Sequence, residues 1–383
     1  MKYTIFPNDA VIDFSKKLKI KFGIDPTSDK LHLGHLIPLM LVKKLWNEGH
    51  HIDIVLGNFT AQLGDPSGKD TMRPILTSEE TEINANSITE QIARIFDNPD
   101  SSHPNFKNII IHRNGEWFSC MNAIMMTNIL SKFTTTQLLS RDSFQKRIEA
   151  NNPIGMHELV VPILQGYDSV VLESDIEVGG TDQLFNFAIS RDMQRIKGQE
   201  PEKCILMPII NGTDGRKMSK SFDNCIFIND TPTDVFGKVM SISDDLMKEW
   251  WPIFLDDEIN MKEPMQQKKR LALVITDKIW GYKDAMQSLE HFESVIQNKA
   301  LPESIAEISV APNEDGSISV NTVEIVTKVR NCSKNEARRL ISSNAVKILN
   351  SEGMEQGVLI EGIHKATPGI IIKVGKRDFI KLV

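Results

Sequence analysis

Leu18-Lys19-Ile20-Lys21-Phe22-Gly23, then a polar loop through Asp25-Pro26-Thr27, then His32-Leu33-Gly34-His35 opening onto Leu36: on this stretch the fold turns. Leu18, Ile20 and Phe22 alternate with lysines, the period of a strand. The apolar segment Leu36 to Trp46, closed by Gly49, reads as a helix. Further short runs rich in β-branched residues follow at Ile52 to Leu56, Ile109 to Ile111 and Ile205 to Ile210, with helical stretches between them. Strands separated by helices predict a doubly wound parallel sheet, an α/β fold of the Rossmann-like kind. Such sheets bind ligands at the carboxyl ends of their strands, where Gly23, Gly57 and Gly179-Gly180 fall.

The 383 residues allow two or three domains and a substantial core. An apolar share of 40% and a charged share of 25% are ordinary for a globular protein. Met1 to Asp13 lacks the apolar stretch of a secretory signal, and Pro38 interrupts the run Leu36 to Val42, so neither export nor a membrane span is expected. The four cysteines are scattered without a Cys-x-x-Cys pair. They read as reduced thiols of a cytoplasmic protein, with no disulfide or zinc site.

The net charge of −7 is unevenly spread. Asn321 to Val383 holds eleven Lys/Arg against six Asp/Glu, a basic tail on an acidic body. That balance suits an RNA-gripping module, and equally a small domain with a solvated basic face. Residues 1–230 read as the α/β domain, 231–317 as a helical domain and linker, and 318–383 as a compact α+β unit. In the last, Ser333 to Ile341 is an amphipathic helix with a Ser cap and Glu336 three residues on. Strands at Val346 to Leu349 and Ile370 to Val374 follow.

Two strings carry the chemistry. A glycine ending a strand lets a nucleotide approach the backbone, and the helix that follows offers N–H groups to anions. Gly23, Thr27, His32, Gly34 and His35 meet that need, since neutral imidazoles donate to phosphate oxygens. Taken alone, two histidines capping a helix fit the same residues. Lys217-Met218-Ser219-Lys220-Ser221 lies on the polar loop after Ile210 and places two ammonium groups and the Ser221 hydroxyl where they can close on phosphates. A solvated basic loop is the plainer alternative. Gly64-Asp65-Pro66-Ser67-Gly68-Lys69 is not a P-loop, having three residues between its glycines and Asp70 after the lysine.

The two strings together, each behind a strand, resemble the signatures of class I aminoacyl-tRNA synthetases. Gln165-Gly166-Tyr167-Asp168 and Gly179-Gly180-Thr181-Asp182-Gln183 look like the substrate pocket of the tyrosyl-tRNA synthetases, and the basic tail resembles their S4-type RNA-binding domain. The resemblance implies ATP-dependent activation of tyrosine and its transfer to tRNA, with Mg²⁺ entering on ATP and no dedicated metal site in the protein. It implies that Asp168 accepts the phenol hydroxyl, that Asp65 and Gln165 hold the amino group, and that Gln183 binds the carboxylate. ATP is implied against Gly23, Asp25, Gly34, Gly180 and Asp182, with Lys69 and Arg73 near the pyrophosphate. It implies a homodimer built in part on the apolar stretch Trp117 to Phe133, otherwise read as core. It also sets the basic segment Arg141 to Arg147 near the tRNA acceptor stem.

This sequence departs from the resemblance in places. Val161 stands where the family carries a tyrosine beside the amino group, Lys21 where many members have another phenol, and about twenty residues precede Phe22-Gly23, fewer than the sub-branch usually has. Three functions therefore follow as expectations: a tyrosine–tRNA ligase, a paralogue activating a tyrosine analogue or other non-standard amino acid for specialised metabolism or self-resistance, and a non-catalytic RNA-binding relative. Intact His32, His35, Lys217 and Lys220 argue against the third.

Overall fold

The structure is a computed structural model that describes residues 2–64, 76–96, 108–297, 305–311, 313, 315, 317–350, 355–375 and 378–383. Contacts divide it into two units, Met1–Asp284 and Ala285–Val383.

In the first unit β1 (Thr4–Phe6), β2 (Lys19–Ile24), β3 (His51–Leu56), β4 (Ile109–Arg113), β5 (Ile176–Gly180) and β6 (Lys203–Met207) form one sheet, in the order β1-β6-β5-β2-β3-β4. All neighbours are parallel except β1, which runs antiparallel to β6 at the edge. The chain builds outward through β3 and β4, then returns to the other side of β2 with β5. The switch point of this doubly wound sheet therefore lies between β2 and β5, and a crevice opens beyond their carboxyl ends.

Strand period separates the two sheet faces. Ile20, Phe22, Ile52, Ile54, Ile176 and Val178 are buried on one face. The intervening positions Lys21, Asp53 and Glu177 pair across neighbouring strands and are also buried, so the other face carries a row of charges. The helix Met156–Leu172 covers that row, with Lys21 Nζ donating to the Gln165 carbonyl (3.0 Å) and the Ser169 hydroxyl (2.6 Å).

The helix after β2 spans Leu33–Asn47, three residues earlier than the apolar run suggests, because His32 caps it. Beyond residue 231 the first unit is helical, with Pro232–Met240, Asp244–Phe254 and Pro264–Trp280 packed together. Among the described residues no helix is long and apolar enough to cross a membrane.

The second unit is α+β. Strands β7 (Ala306–Ile308), β8 (Ile318–Asn321), β9 (Val346–Leu349), β10 (Glu355–Val358), β11 (Ile363–Ala366), β12 (Ile371–Val374) and β13 (Asp378–Leu382) form a sheet β10-β9-β12-β13-β7 and a pair β11-β8. Helices Thr322–Arg330 and Lys334–Ser342 pack on a core that includes Val326, Ala337, Ile341, Val346, Ile372 and Leu382. Ser333 caps the second helix by accepting from the Glu336 N–H (3.2 Å). This is the small strand-rich unit expected of an S4-like domain.

Candidate active site

A cavity of about 880 Å³ opens at the switch point. Gly23, Asp25, Thr27, His32, Gly34 and His35 line it from the β2 side. Val161, Gln165 and Asp168 face it from the Met156–Leu172 helix, and Gly180, Asp182 and Gln183 from the end of β5. Lys217 and Lys220 close the ring. Residues that are distant in sequence thus share one wall-to-wall space.

The histidine pair caps the helix and also faces the cavity. The Gly34 N–H donates to His32 Nδ1 (3.1 Å) and the His32 N–H donates to His35 Nδ1 (3.2 Å), a reciprocal capping box with the rings 4.1 Å apart. Each Nδ1 is an acceptor, so each neutral ring carries its proton on Nε2. Burial and the Lys220 ammonium push His32 down to about 4, and burial with His32 and Lys220 holds His35 well below the usual imidazole range. Both are neutral Nε2–H donors at physiological pH. Gly34 has to be glycine here, because a Cβ would stand 2.9 Å from the His32 ring.

Asp25 grips the strand ends: its Oδ1 accepts from the Thr60 hydroxyl (2.8 Å) over Gly57, where a Cβ would meet that oxygen at 2.1 Å. The loop of the second string is organised by Asn224, which is buried. Its amide donates to Asp214 (2.7 Å) and to the Lys217 carbonyl (3.1 Å), and its oxygen accepts from the Ser219 N–H (2.8 Å). Lys217 rests 3.6 Å from Asp182, and Lys220 donates to the Ser28 hydroxyl. Ser221 lies in the turn Lys220–Phe222.

At the other end of the cavity Asp168 is 4% exposed, and the Trp117 indole N–H donates to its Oδ1 (2.9 Å). Burial raises this carboxyl to about 7, against the downward pull of Lys21, Trp117 and Asn114. Asn186 donates to the side-chain oxygens of both Gln165 (2.8 Å) and Gln183 (2.9 Å), while Gln165 Nε2 donates to Glu177 (3.0 Å). Val161 is buried on the wall one turn before Gln165.

Family-model comparison then decides the assignment: the family described as class I tRNA synthetases (W and Y) matches residues 14–308. The chain belongs to this family. The synthetase is 38% identical to the tyrosine–tRNA ligase of Chlorobaculum tepidum over 376 residues, covering 95% of this chain and 89% of that one. It is 37% identical to the tyrosine–tRNA ligase of Thermotoga maritima, covering 96% and 90%. Among solved structures, a C-terminally truncated mitochondrial tyrosyl-tRNA synthetase of Aspergillus nidulans shares the fold, with a TM-score of 0.58 at 18% identity over 73% of this chain and 86% of that chain.

Several residues of the synthetase behave differently from expectation. Lys21, expected at the amino acid, does not line the cavity. It is 1% exposed and paired with Glu177 (2.9 Å) beneath the floor, because strand alternation turns it toward the covering helix. Arg141 and Arg147 are buried, Arg147 in a two-pronged pair with Glu158 (2.8 and 2.9 Å), so of the cations expected near the acceptor stem only Lys146 faces solvent. The stretch Trp117 to Phe133 divides: Phe118, Ile129 and Phe133 are core, whereas Ile124 and Met125 are exposed. Asp65, Lys69 and Arg73 lie outside the described residues. Trp117, Glu177, Asn186 and Asn224 escaped the sequence reading as site-builders. Glu177 carried the one usable signal, a charge inside a strand two residues before Gly179.

Proposed function

We propose that the protein is a tyrosine–tRNA ligase, which joins tyrosine to ATP as tyrosyl-adenylate and passes the acyl group to the 3′ end of its tRNA. The observation that carries this reading is that the buried Asp168 carboxyl, the histidine pair and the lysine loop line one cavity.

Tyrosine enters with its phenol O–H donating to ionised Asp168, which Trp117 orients. Its ammonium donates to the Gln165 oxygen, whose second lone pair is available beside Asn186, and Gln183 steadies the carboxylate. A carboxylate oxygen attacks the α-phosphorus of ATP. The bond from that phosphorus to the bridging oxygen breaks, and pyrophosphate leaves with the electron pair. Alignment and charge stabilisation dominate such a step. The Nε2–H groups of His32 and His35 donate to phosphate oxygens. Lys217 exchanges Asp182 for phosphate, freeing Asp182 for the ribose, and Lys220 leaves Ser28 in the same way. Thr27 adds a hydroxyl; the Ser221 side chain, expected to add another, lies outside the described residues. Gly23, Asp25, Gly34 and Gly180 shape the nucleotide cradle, and the family resemblance assigns Asp65 to the amino group and Lys69 and Arg73 to the pyrophosphate. A hydroxyl of the terminal adenosine of tRNA then attacks the acyl carbonyl and AMP leaves.

Mg²⁺ enters with the triphosphate. Among the described residues no group of three or more His, Cys, Asp or Glu side chains is placed to hold a metal ion. The basic stretch Asn321 to Val383 supports tRNA binding, exposed Ile124 and Met125 support a homodimer, and the scattered thiols support a cytoplasmic setting. The three-part division 1–230, 231–317 and 318–383 serves catalysis, anticodon-side contacts and RNA grip in turn.

Amino-acid-dependent ATP–pyrophosphate exchange tests the reading. Exchange with tyrosine and not with phenylalanine or tryptophan is expected, since a substrate without the hydroxyl leaves the buried Asp168 carboxyl one hydrogen bond short. Exchange with a tyrosine analogue in preference to tyrosine, or with none of them, refutes it.

A further inference from the structure

Three carboxyl groups and one ammonium gather at the amino-acid end of the cavity, Asp168 and Glu177 on its wall and Lys21 and Glu202 behind it. Lys21, Glu177 and Glu202 are each 1% exposed and Asp168 is 4% exposed. One ammonium cannot pair with three buried carboxylates.

The hydrogen bonds show where a proton belongs. Glu177 Oε1 meets both Lys21 Nζ (2.9 Å) and Gln165 Nε2 (3.0 Å), whereas its Oε2 is buried with no donor among the described residues. The Glu202 carboxyl neighbours that of Glu177: its oxygens accept from the hydroxyls of Ser169 (3.0 Å), which Lys21 Nζ also meets, and of Ser174. Two carboxylates in contact are acceptors only; one proton between them makes a bond and satisfies the stranded oxygen.

Among the described residues no cation forms an ion pair with the Glu202 carboxyl. Arg191, on the helix Leu184–Ile196, donates to the Glu202 main-chain carbonyl, and Gln194 accepts from its N–H (2.7 Å). The Cys204 thiol on β6 is kept neutral by burial. Lys21 is spent on Glu177, Ser169 and the Gln165 carbonyl.

We propose that Glu202 is a buried neutral carboxylic acid whose O–H donates to Glu177 Oε2, and that it is thereby a positioning residue for Gln165. Burial first, and the Glu177 charge second, hold the Glu202 carboxyl well above its ordinary range. The acid tethers one oxygen of Glu177 and directs the other at the Gln165 amide N–H, which turns the Gln165 oxygen toward the amino-acid subsite. The positioning role rests on the ligase reading; the proton assignment does not.

The test combines infrared spectroscopy and exchange kinetics on the full chain. The wild-type minus Glu202→Gln difference spectrum at neutral pH is expected to contain a protonated-carboxyl C=O band that shifts in D₂O. Loss of a carboxylate band alone overturns the proposal. Glu202→Gln keeps a neutral donor and is expected to hold the tyrosine KM within about threefold of wild type, while Glu202→Leu strands Glu177 and raises it roughly tenfold with the ATP KM unchanged. Equal rises in both KM values, or equal loss in the two variants, overturn the positioning role. Should the Leu variant not fold, the infrared comparison still decides. Wild-type protein without tyrosine-dependent exchange refutes the ligase reading, and with it the positioning role, while the infrared band still reports the proton.

Discussion

Asp168→Asn is expected to destroy tyrosine activation and, at alkaline pH, to relieve the fold of a burden. Asp168 is 4% exposed, and its carboxyl sits at about 7 in the fold against 3.8 as the ordinary value. A raised acid binds its proton more tightly in the folded chain than in the unfolded one. Its contribution is neutral below about pH 4, costs stability progressively as pH rises, and levels off above about pH 7. At about 1.4 kcal/mol per pKa unit the full span is roughly 4 kcal/mol, of which about 2–3 kcal/mol falls between about pH 5 and pH 8. The asparagine does not titrate. Its amide also opposes the hydrogen bond that Asn114 makes to Asp168, an offset of about 1–3 kcal/mol that is independent of pH. The measurement is therefore the change in the stability difference with pH, from urea unfolding of both proteins at several pH values. Wild type should lose about 2–3 kcal/mol relative to the variant across that interval. A difference that stays flat with pH would show that Asp168 is already ionised at pH 5, and the reasoning from burial would fail.

The same titration predicts that the tyrosine KM falls as pH rises from about 6 to 8, because ionised Asp168 is the stronger acceptor for the phenol hydroxyl; a KM flat over that range contradicts it. His32→Asn keeps an N-cap and removes the Nε2–H donor, so exchange kcat should drop on the order of 10²-fold with little change in Tm, whereas His32→Ala should also lose about 1 kcal/mol of stability in denaturant melts. Lys217→Met should lower kcat while sparing the ATP KM, as steady-state kinetics will show, since its ammonium meets phosphate mainly in the transition state. Ile124→Glu should convert the expected dimer to monomer in sedimentation experiments; an unchanged sedimentation coefficient argues for another interface.

The sheet was legible wherever one side of a strand met apolar neighbours, as at Ile20 and Phe22 or Ile52 to Leu56. It was illegible where strand residues are polar on a buried face. Lys21 and Glu177 look like solvent-facing charges in any single strand, and only cross-strand pairing shows them as partners. Three-residue β1 was missed for lack of length. Within the site, the two signature strings were visible because their spacing is local, and the competing readings of His32 and His35 as helix caps or phosphate donors prove compatible. Asn186, Asn224 and Trp117 act through partners across 21, 10 and 51 positions, and no local pattern announces such links.

The charged row under the pocket floor has a practical consequence for anyone retargeting this catalyst to unnatural monomers. Randomising Gln165 or Asp168 would reshape the binding space and at the same moment unbalance Lys21 and its acids, so libraries at those codons should yield mostly insoluble clones. Val161 touches the same space through hydrocarbon alone and is the codon at which to begin.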